Sequence, residues 1–269
     1  MKTVIFAWTH NFNIDDEHLQ KYNFLKENSF FFGLGDLIRA SIKLFVLSKT
    51  LNYRLIVDLQ LHPVSQFLEI NNHEYSEQVL FNRNNIDYVC YGALDDYINS
   101  KDDIMYIFTN DFYEGDITDE IKIFIKQIFT PTKIFLNYIE QRIYIIPYPF
   151  YDILHYRLND DEFLNKTTTV NHCKMVEHLK LNIESNDILI TDTKTFKELV
   201  FHNKIPVFMF ETKICHLGLS TDYDAIRDTL FEFFLITKAR KIRSYCKIHK
   251  MSGFVKWVSK IYDIPVSLI

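Results

Sequence analysis

The sequence predicts an α/β fold made of two Rossmann-like domains that face each other, each with a mostly parallel sheet. Apolar segments of strand length alternate with helical patterns through both halves of the 269-residue chain, as in parallel sheets with helical crossovers. The order of elements restarts near the middle, which indicates a second layer of the same kind. Only 6 Gly and 6 Pro are present, so little of the chain can form disordered linkers and the domains should be joined compactly.

The first domain opens with a strand–helix–strand unit. Lys2–Ala7 is rich in β-branched and aromatic residues and predicts the first strand. The segment Phe32–Asp36 opens a helix that runs to about Lys49, because apolar residues then recur at helical spacing. Arg54–Leu59 predicts the second strand. A crossover of this kind implies that the two strands are parallel.

The rest of the first domain repeats this theme up to a proline-containing connector. The predicted strands are Ile86–Tyr91 and Ile104–Thr109, and the predicted helices are Ile117–Ile128 and Lys133–Gln141. Two prolines make Ile143–Pro149 a stiff, extended connector. We therefore expect an N-terminal domain at 1–147 and a C-terminal domain at 148–269.

Strands and helices alternate again in the second domain. The predicted strands are Asp152–Tyr156, Asp187–Thr191, Pro206–Phe210 and Lys241–Tyr245. The predicted helices are Val170–Leu181, Lys194–His202, Ala225–Lys238 and Gly253–Ile261. This order favours a second Rossmann-like layer.

Composition excludes several classes of function. A net charge of −5 argues against a general nucleic-acid or anionic-membrane surface. No segment reaches the roughly 18 apolar residues of a transmembrane helix, and the N-terminus lacks a secretory signal. We therefore expect a soluble, cytoplasmic protein without an integral membrane segment. The four cysteines are far apart and form no C-x-x-C pair, which favours reduced thiols over a metal or redox site.

The glycines before the first long helix are candidate ligand contacts. In Gly33-Leu34-Gly35-Asp36, small residues let backbone N–H groups approach an anion, and a helix N-terminus carries about half a positive charge. The third glycine of a dinucleotide fingerprint is absent, since no glycine follows Gly35 up to Arg39, and this excludes a nicotinamide or flavin site. Asp36 is either an N-terminal helix cap or a carboxylate that faces a cleft.

The strongest candidate site follows the first strand of the second domain. The strand ends at a cluster of His155, Arg157, Asp160 and Asp161. Ligands of open α/β sheets bind at the carboxyl ends of the strands, and a guanidinium can bind phosphate oxygens in a bidentate manner. A surface ion pair between the arginine and the neighbouring carboxylates is the alternative.

Carboxylates at two further boundaries allow two interpretations each. Asp192 follows a strand and either accepts hydrogen bonds from a nucleoside or caps the next helix. Asp222 and Asp224 form a D-x-D pattern, which suits a divalent metal on a nucleotide-sugar. Acidic residues are also expected in the first turn of a helix, and here we favour that interpretation.

Ser252-Gly253 opens the last predicted helix, where a hydroxyl and free N–H groups either hold a phosphate or simply cap the helix. The sequence contains no H-E-x-x-H, G-x-S-x-G or P-loop pattern. Zincin-type, α/β-hydrolase and P-loop kinase chemistries are therefore excluded.

In the order of the chain, these segments resemble the fucosyltransferase group of α-1,6-fucosyltransferases, the rhizobial NodZ type and the protein O-fucosyltransferases. The glycine turn is similar to the group's G-x-G-N-[QR], and Leu51–Asp58 (L-N-Y-R-L-I-V-D) to its following strand. His155–Asp160 is similar to H-x-R-R-x-D, with Leu158 in place of the second arginine. Ile190–Thr193 is similar to A-T-D-D. The acidic helix at Glu232, where an Asp is usual, and the later S-x-F at Ser252 complete the series.

The resemblance implies a GT-B fold and an inverting, metal-independent transfer of fucose from GDP-fucose to a glycan, without a cofactor. It also implies that 1–147 is the acceptor-side domain and 148–269 the nucleotide-sugar-binding domain. Arg157 would contact the β-phosphate and stabilise the departing GDP. The remaining donor-binding residues would be Gly33, Gly35, His155, Asp160, Asp192, Glu232, Ser252 and Gly253, with Asp192 and Glu232 facing the nucleoside. Our hypothesis for the base that deprotonates the acceptor hydroxyl is Asp36, from the opposing domain.

Two alternatives remain open after the sequence analysis. A degenerate homologue would bind a nucleotide or glycan without catalysis, and a metal-dependent transferase would use Asp222 and Asp224. We expect a bacterial or large-virus type of enzyme that builds glycans and binds no nucleic acid.

Overall fold

The computed structural model describes residues 2–9, 33–69, 86–89, 92–100, 104–158, 171–217, 220, 222–247 and 251–269. The chain divides into two compact units, Met1–Phe135 and Leu136–Ile269. The domain boundary predicted after Pro147 lies downstream of this division, and the roles expected for the two domains stay predictions. Within the described ranges, none of the helices has both the length and the apolar character needed to span a membrane.

The first unit contains a four-stranded parallel sheet with helices between its strands. Its strands are β1 (Thr3–Ala7), β2 (Arg54–Asp58), β3 (Asp87–Tyr88) and β4 (Ile104–Phe108), in the order β2-β1-β4-β3. Its helices are α1 (Leu34–Leu51), α2 (Leu94–Ser100) and α3 (Asp119–Ile128), with a short 3₁₀ turn at Pro63–Gln66. Strand β1 is central, and its residues from Val4 to Ala7 are almost fully buried. This burial matches the unbroken apolar run expected of an interior parallel strand.

Helix α1 has clear signals at both ends. It begins after Gly33, and it ends at Asn52, whose φ of 52° is the left-handed conformation common after helices. Between them, Leu37, Ile38 and Leu44 are fully buried or nearly so. The strand–helix–strand unit predicted for this part of the chain is confirmed.

The second unit contains another four-stranded parallel sheet. Its strands are β5 (Asp152–Arg157), β6 (Asp187–Thr191), β7 (Ile242–Cys246) and β8 (Val266–Leu268), in the order β6-β5-β7-β8. Helix α4 (Lys133–Tyr144) crosses the division between the units, and α5 (His172–Asn182), α6 (Lys194–His202), α7 (Tyr223–Ile236) and α8 (Gly253–Tyr262) follow. The predicted bounds of β6 and α6 agree with the structure, and the start of the predicted helix at Val170 lies outside the described residues.

Side chains of β5 alternate between two surroundings. Leu154 and Tyr156 pack in a core cluster with Leu179 of α5 and Phe196 of α6. His155 and Arg157 alternate with them and point to the other side of the sheet. The strand therefore places His155 and Arg157 together on the face opposite to Leu154 and Tyr156.

Three predicted segments differ from the structure. The strand predicted at Pro206–Phe210 is wrong, because only Phe208 forms a bridge, to Ile188, and Pro206 has no N–H to donate to a ladder. The connector at Ile143–Pro149 was predicted to be extended throughout, but α4 continues to Tyr144, since a helix can run until just before a proline. Within Ile86–Tyr91, only Asp87–Tyr88 is a strand, and the last two residues lie outside the described ones.

Candidate functional site

Arg157 lies at the point where the strand order of the second sheet reverses. From β5 the chain proceeds to β6 on one side, and it later places β7 on the other side. Crossovers that leave in opposite directions open a crevice at the carboxyl ends of such strands, where α/β proteins bind ligands. Arg157 is the last residue of β5 and pairs in register with Cys246 at the end of β7. The structure thus places the predicted guanidinium at the preferred ligand position of the sheet.

Asp192 holds Arg157 and the backbone that follows it. Its Oδ2 lies 3.1 Å from Arg157 Nε. Its Oδ1 accepts hydrogen bonds from the Leu158 N–H at 2.9 Å and from the Thr193 hydroxyl at 3.1 Å. The Asp192 side chain is 8% exposed and that of Arg157 is 25% exposed. The carboxylate therefore fixes one side of a guanidinium that remains partly accessible.

Asp192 is not the N-cap of α6. The N-cap of α6 is Thr193, which makes no side-chain cap hydrogen bond. Besides the Thr193 hydroxyl, the partners of Asp192 are Arg157 and Leu158 at the end of the neighbouring strand β5. Sequence analysis identified the residue but not its partner.

His155 is buried next to the same arginine. Its Nδ1 lies 3.0 Å from the Ser244 hydroxyl of β7. Burial, and secondarily the charge of Arg157, lower the pKa of His155 to about 3. The imidazole is therefore neutral at physiological pH, which suits a structural or hydrogen-bonding role rather than proton transfer.

His216 is a neighbour of Arg157 that sequence analysis missed. Burial, and secondarily the charge of Arg157, lower the pKa of His216 to about 3. Its segment lies between β6 and α7 and contains no recognisable motif, so nothing in the sequence pointed to it.

Burial of Leu158 gives a physical reason why this position does not carry a second arginine. Its side chain is 1% exposed and belongs to the core cluster with Leu154 and Tyr156. A guanidinium buried there without a partner would carry a large desolvation penalty. In this chain the position supports the core.

Glu232 lies on α7 and is linked to α6 through a threonine. Thr212 donates its hydroxyl hydrogen to Glu232 Oε1 at 2.7 Å, and Lys197 Nζ donates to the same hydroxyl at 2.8 Å. Burial is the main cause that raises the pKa of Glu232, and Lys197 and the Thr212 hydrogen bond oppose this shift. Lys197 and Thr212 also line a cavity of about 860 Å³, together with Phe201, Phe210 and other residues of this region. Neither Lys197 nor Thr212 was singled out from the sequence.

Ser252 and Gly253 begin α8, the helix that follows β7. Ser252 occupies the N-cap position, but its hydroxyl makes no cap hydrogen bond. Its carbonyl accepts the Lys256 N–H at 2.9 Å, as expected at the start of a helix. The position is therefore that of a cap, while the hydroxyl is not used for capping.

Asp222 and Asp224 are engaged by cations of the protein. Asp222 is the N-cap of α7 and accepts the Ala225 N–H at 2.8 Å. Lys213 Nζ lies 3.5 Å from Asp222 and 3.2 Å from Asp224, and Arg227 lies 2.9 Å from Asp224. The capping interpretation is confirmed for Asp222. In the ranges that the structure describes, no three His, Cys, Asp or Glu side chains are grouped as metal ligands.

Gly33, Gly35 and Asp36 belong to the first unit, at the start of α1. Asp36 Oδ2 accepts the Gly33 N–H at 2.8 Å, and its Oδ1 lies 2.9 Å from the Arg39 guanidinium. The Gly33 carbonyl in turn accepts the Asp36 N–H at 2.9 Å. Asp36 therefore caps α1 from the third helical position, one of the two interpretations that the sequence allowed.

Among the predicted site residues of the second unit, two are bonded to each other and the others belong to different elements. Arg157 and Asp192 are joined directly, and His155 precedes them on β5. Glu232 lies on α7, and Ser252 and Gly253 lie at the start of α8. The predicted donor-binding residue Asp160 lies outside the described residues.

Two parallel sheets, with an arginine–aspartate pair at the strand-order reversal of the second, define a Rossmann-like α/β protein. Among solved structures, the chain resembles the GT-B fucosyltransferases. A structure of NodZ α-1,6-fucosyltransferase soaked with GDP-fucose shares 12% sequence identity, with a TM-score of 0.53 over 98% of this chain and 94% of that one. NodZ from Bradyrhizobium gives 10% identity and a TM-score of 0.52, over 96% of this chain and 91% of that one.

A plant structure shows the same similarity. A variant of Arabidopsis thaliana FUT1 in complex with GDP shares 11% identity, with a TM-score of 0.54 over 99% of this chain and 70% of that one. No protein-family model matches the sequence, and no curated protein matches it significantly. The structural similarity confirms the GT-B fold predicted from the motifs.

Proposed function

We propose that the protein is an inverting, metal-independent glycosyltransferase that moves fucose from GDP-fucose to a hydroxyl of a glycan. The observation that carries the proposal is the Arg157–Asp192 pair at the strand-order reversal of the second sheet. The fold similarity to fucosyltransferases whose structures contain GDP or GDP-fucose supports the choice of donor.

Arg157 is the group proposed to stabilise the negative charge of the leaving GDP. When the acceptor oxygen attacks the anomeric carbon, the bond to the diphosphate breaks and negative charge develops on the leaving GDP. Asp192 binds Nε, so the rest of the guanidinium is oriented for the diphosphate oxygens. A fixed cation that stabilises the developing charge lowers the barrier without a metal ion.

The start of α8 is the proposed second contact with the diphosphate. Backbone N–H groups of a first helical turn lack partners within the helix and bind anions. The Ser252 hydroxyl makes no cap hydrogen bond, so it is a suitable donor to a phosphate oxygen, and Gly253 has no side chain to obstruct the approach. His155 is proposed to support the site as a neutral imidazole that forms a hydrogen bond with Ser244.

Glu232 is the proposed contact with the nucleoside. Its Oε1 accepts from Thr212, and its Oε2 bonds none of the residues that the structure describes. Asp192 was also predicted to face the nucleoside, but its bonds favour the positioning of Arg157.

Asp36 is retained as the proposed general base, subject to a direct test. Both of its oxygens have partners at the start of α1, and proton abstraction would require one of them to be released. Asp36→Asn should lower turnover at least 100-fold if the carboxylate accepts the proton, since general base catalysis contributes about 10²–10⁴-fold. Unchanged turnover in Asp36→Asn assigns the residue to capping alone.

Two other functions make different predictions. A binding protein without catalysis would bind GDP-fucose without cleaving it to GDP. The lack of a second cation at Leu158 favours this alternative. A metal-dependent transferase would require Asp222 and Asp224, but Lys213 and Arg227 already pair with these carboxylates. The cytoplasmic location and the glycan acceptor stay predictions.

Ligand-induced stabilisation separates these functions. Melting temperature should be measured with GDP, UDP and GDP-fucose, with EDTA or with Mn²⁺, because a ligand that binds only the folded state raises stability by mass action. We expect stabilisation by GDP and GDP-fucose in EDTA, and its loss in Arg157→Ala. Arg157→Lys is the matched variant, which keeps the charge but loses the planar fork. Full GDP binding by Arg157→Ala contradicts the proposal, and release of GDP from GDP-fucose distinguishes an enzyme from a binder.

A further inference from the structure

Lys197, Thr212 and Glu232 form a hydrogen-bonded chain with a defined direction. Lys197 Nζ lies 2.8 Å from the Thr212 hydroxyl, which lies 2.7 Å from Glu232 Oε1. An ammonium group can only donate, so the single hydroxyl hydrogen of Thr212 is left to point toward Glu232. Glu232 Oε1 is therefore held as an acceptor by a donor that is itself held by Lys197.

The charges around Glu232 make this support necessary. Burial raises the pKa of Glu232, and Asp228, one turn earlier on α7, raises it further. Lys197 is the largest influence that lowers it, followed by the Thr212 hydrogen bond and, more weakly, by Arg142 of α4. The pKa of Lys197 is itself lowered by burial and raised by Glu232. Each partner thus favours the charged form of the other.

We propose that Lys197 is a positioning residue of the donor site, which acts through Thr212 to keep Glu232 an ionised acceptor for the base of the nucleotide. This inference rests on the proposed function. Guanine carries two adjacent N–H donors, at N1 and N2, and a carboxylate accepts both. Hypoxanthine offers only N1–H, and a protonated Glu232 would turn one oxygen into a donor that opposes the second N–H of guanine.

Selectivity for guanine over hypoxanthine then depends on the charge of Glu232. A site built to bond a group rejects the analogue that lacks it. Inosine diphosphate (IDP) carries hypoxanthine in place of guanine. Since a hydrogen bond to a charged group contributes about 1.5–3 kcal/mol, the wild-type protein should prefer GDP over IDP by about 10- to 100-fold. This preference should not change between pH 6 and pH 8.5 as long as Lys197 is present.

The experiment measures dissociation constants of GDP and IDP across this pH range in the wild-type protein and in Lys197→Met. The ratio of the two constants cancels the ionisation of the phosphates. Without Lys197 the pKa of Glu232 rises, and below the new pKa the preference for GDP should fall by up to about tenfold per pH unit. It should recover toward the wild-type value at pH 8.5. Lys180→Met on α5, a partly exposed partner of Glu177, removes the same charge and should leave the ratio unchanged.

Thr212 provides a second pair of variants that does not alter the charge of Lys197. Thr212→Val removes the bridging hydroxyl at nearly constant volume and should change the ratio in the same direction as Lys197→Met, but by less, because the charge of Lys197 remains. Thr212→Ser keeps the hydroxyl and should restore the wild-type ratio.

The possible outcomes separate the two proposals. If wild-type protein binds no GDP, the proposed function fails and this inference fails with it. If wild-type protein prefers GDP and Lys197→Met keeps that preference at pH 6, only the role of Lys197 is overturned. Equal weakening of GDP and IDP at every pH in Lys197→Met also overturns it, because that is the result of a purely structural role.

Discussion

Replacing Asp192 by asparagine tests the centre of the candidate site with a change of almost no volume. In the wild-type protein one oxygen of Asp192 accepts the Leu158 N–H at 2.9 Å, and the other lies 3.1 Å from Arg157 Nε. Both partners are donors. An asparagine has only one oxygen, so either orientation of its amide directs an N–H₂ group at a donor. The substitution therefore creates a donor–donor conflict that repacking of the amide cannot remove.

The size of the effect follows from the burial of these groups. A buried donor that loses its acceptor costs about 1–3 kcal/mol. The lost attraction to Arg157 adds about 1 kcal/mol at most, because that side chain is 25% exposed and solvent screens the pair. We expect Asp192→Asn to lower the free energy of unfolding of the second unit by about 1–4 kcal/mol. GDP affinity should fall as well, since the guanidinium loses its orientation.

The two tryptophans allow the second unit to be measured separately. Trp8 lies in the first unit and Trp257 on α8 of the second. In a Trp8→Phe background, Trp257 fluorescence reports urea unfolding of the second unit. Asp119→Asn is the control, since Asp119 is 94% exposed and should change the free energy by less than about 0.5 kcal/mol. Wild-type stability and wild-type GDP affinity in Asp192→Asn would refute the positioning role.

Three further predictions follow from other parts of the second unit. Arg243→Met leaves the buried carboxylate of Asp187 without its cation and should cost about 3–5 kcal/mol, measured by the same urea unfolding; a loss below 1 kcal/mol contradicts this. The pKa of His155 is lowered to about 3 in the folded state, so the unfolded chain binds more protons between pH 3 and 6.5 and stability falls as pH drops through 6.5. This group should contribute about 2 kcal/mol of loss between pH 7 and pH 5, which His155→Asn should abolish; an unchanged pH profile in the variant contradicts the assignment. Burial raises the pKa of Cys215 to about 11, so iodoacetamide at pH 8 should modify the exposed Cys173 first, and mass spectrometry of peptides would reveal the opposite order.

Local patterns were sufficient for most elements of the fold. The bounds of β6 and α6 could be predicted because apolar residues alternate or recur over short distances, and these periods are properties of the segment itself. The helix α2 and the strand β8 were not predicted. Both are short, of 7 and 3 residues, and offer too few repeats for a period to be recognised. The segment Pro206–Phe210 had strand composition but joins the sheet at only one residue, because pairing depends on a neighbouring edge as well as on propensity.

The candidate site was predictable in part. Arg157 could be placed at the end of a strand, and Ser252 at the start of a helix, because both positions follow from the boundaries of their own segments. The partner of Asp192 could not be predicted, because it comes from a strand 34 residues earlier in the chain. The bridge from Lys197 to Glu232 was also invisible, since its three members lie on α6, an irregular segment and α7.

The amino-acid sequence by itself determined the alternation of strands and helices, the two parallel layers and the polar residues at the ends of strands. Each of these depends on neighbours within a few positions along the chain. Only the tertiary structure decided that Asp192 pairs with Arg157, that Leu158 belongs to the core and that Thr212 bridges Lys197 and Glu232. Those contacts arise from the order of strands in the sheet and from the packing of helices on it, which bring together residues that no local period relates.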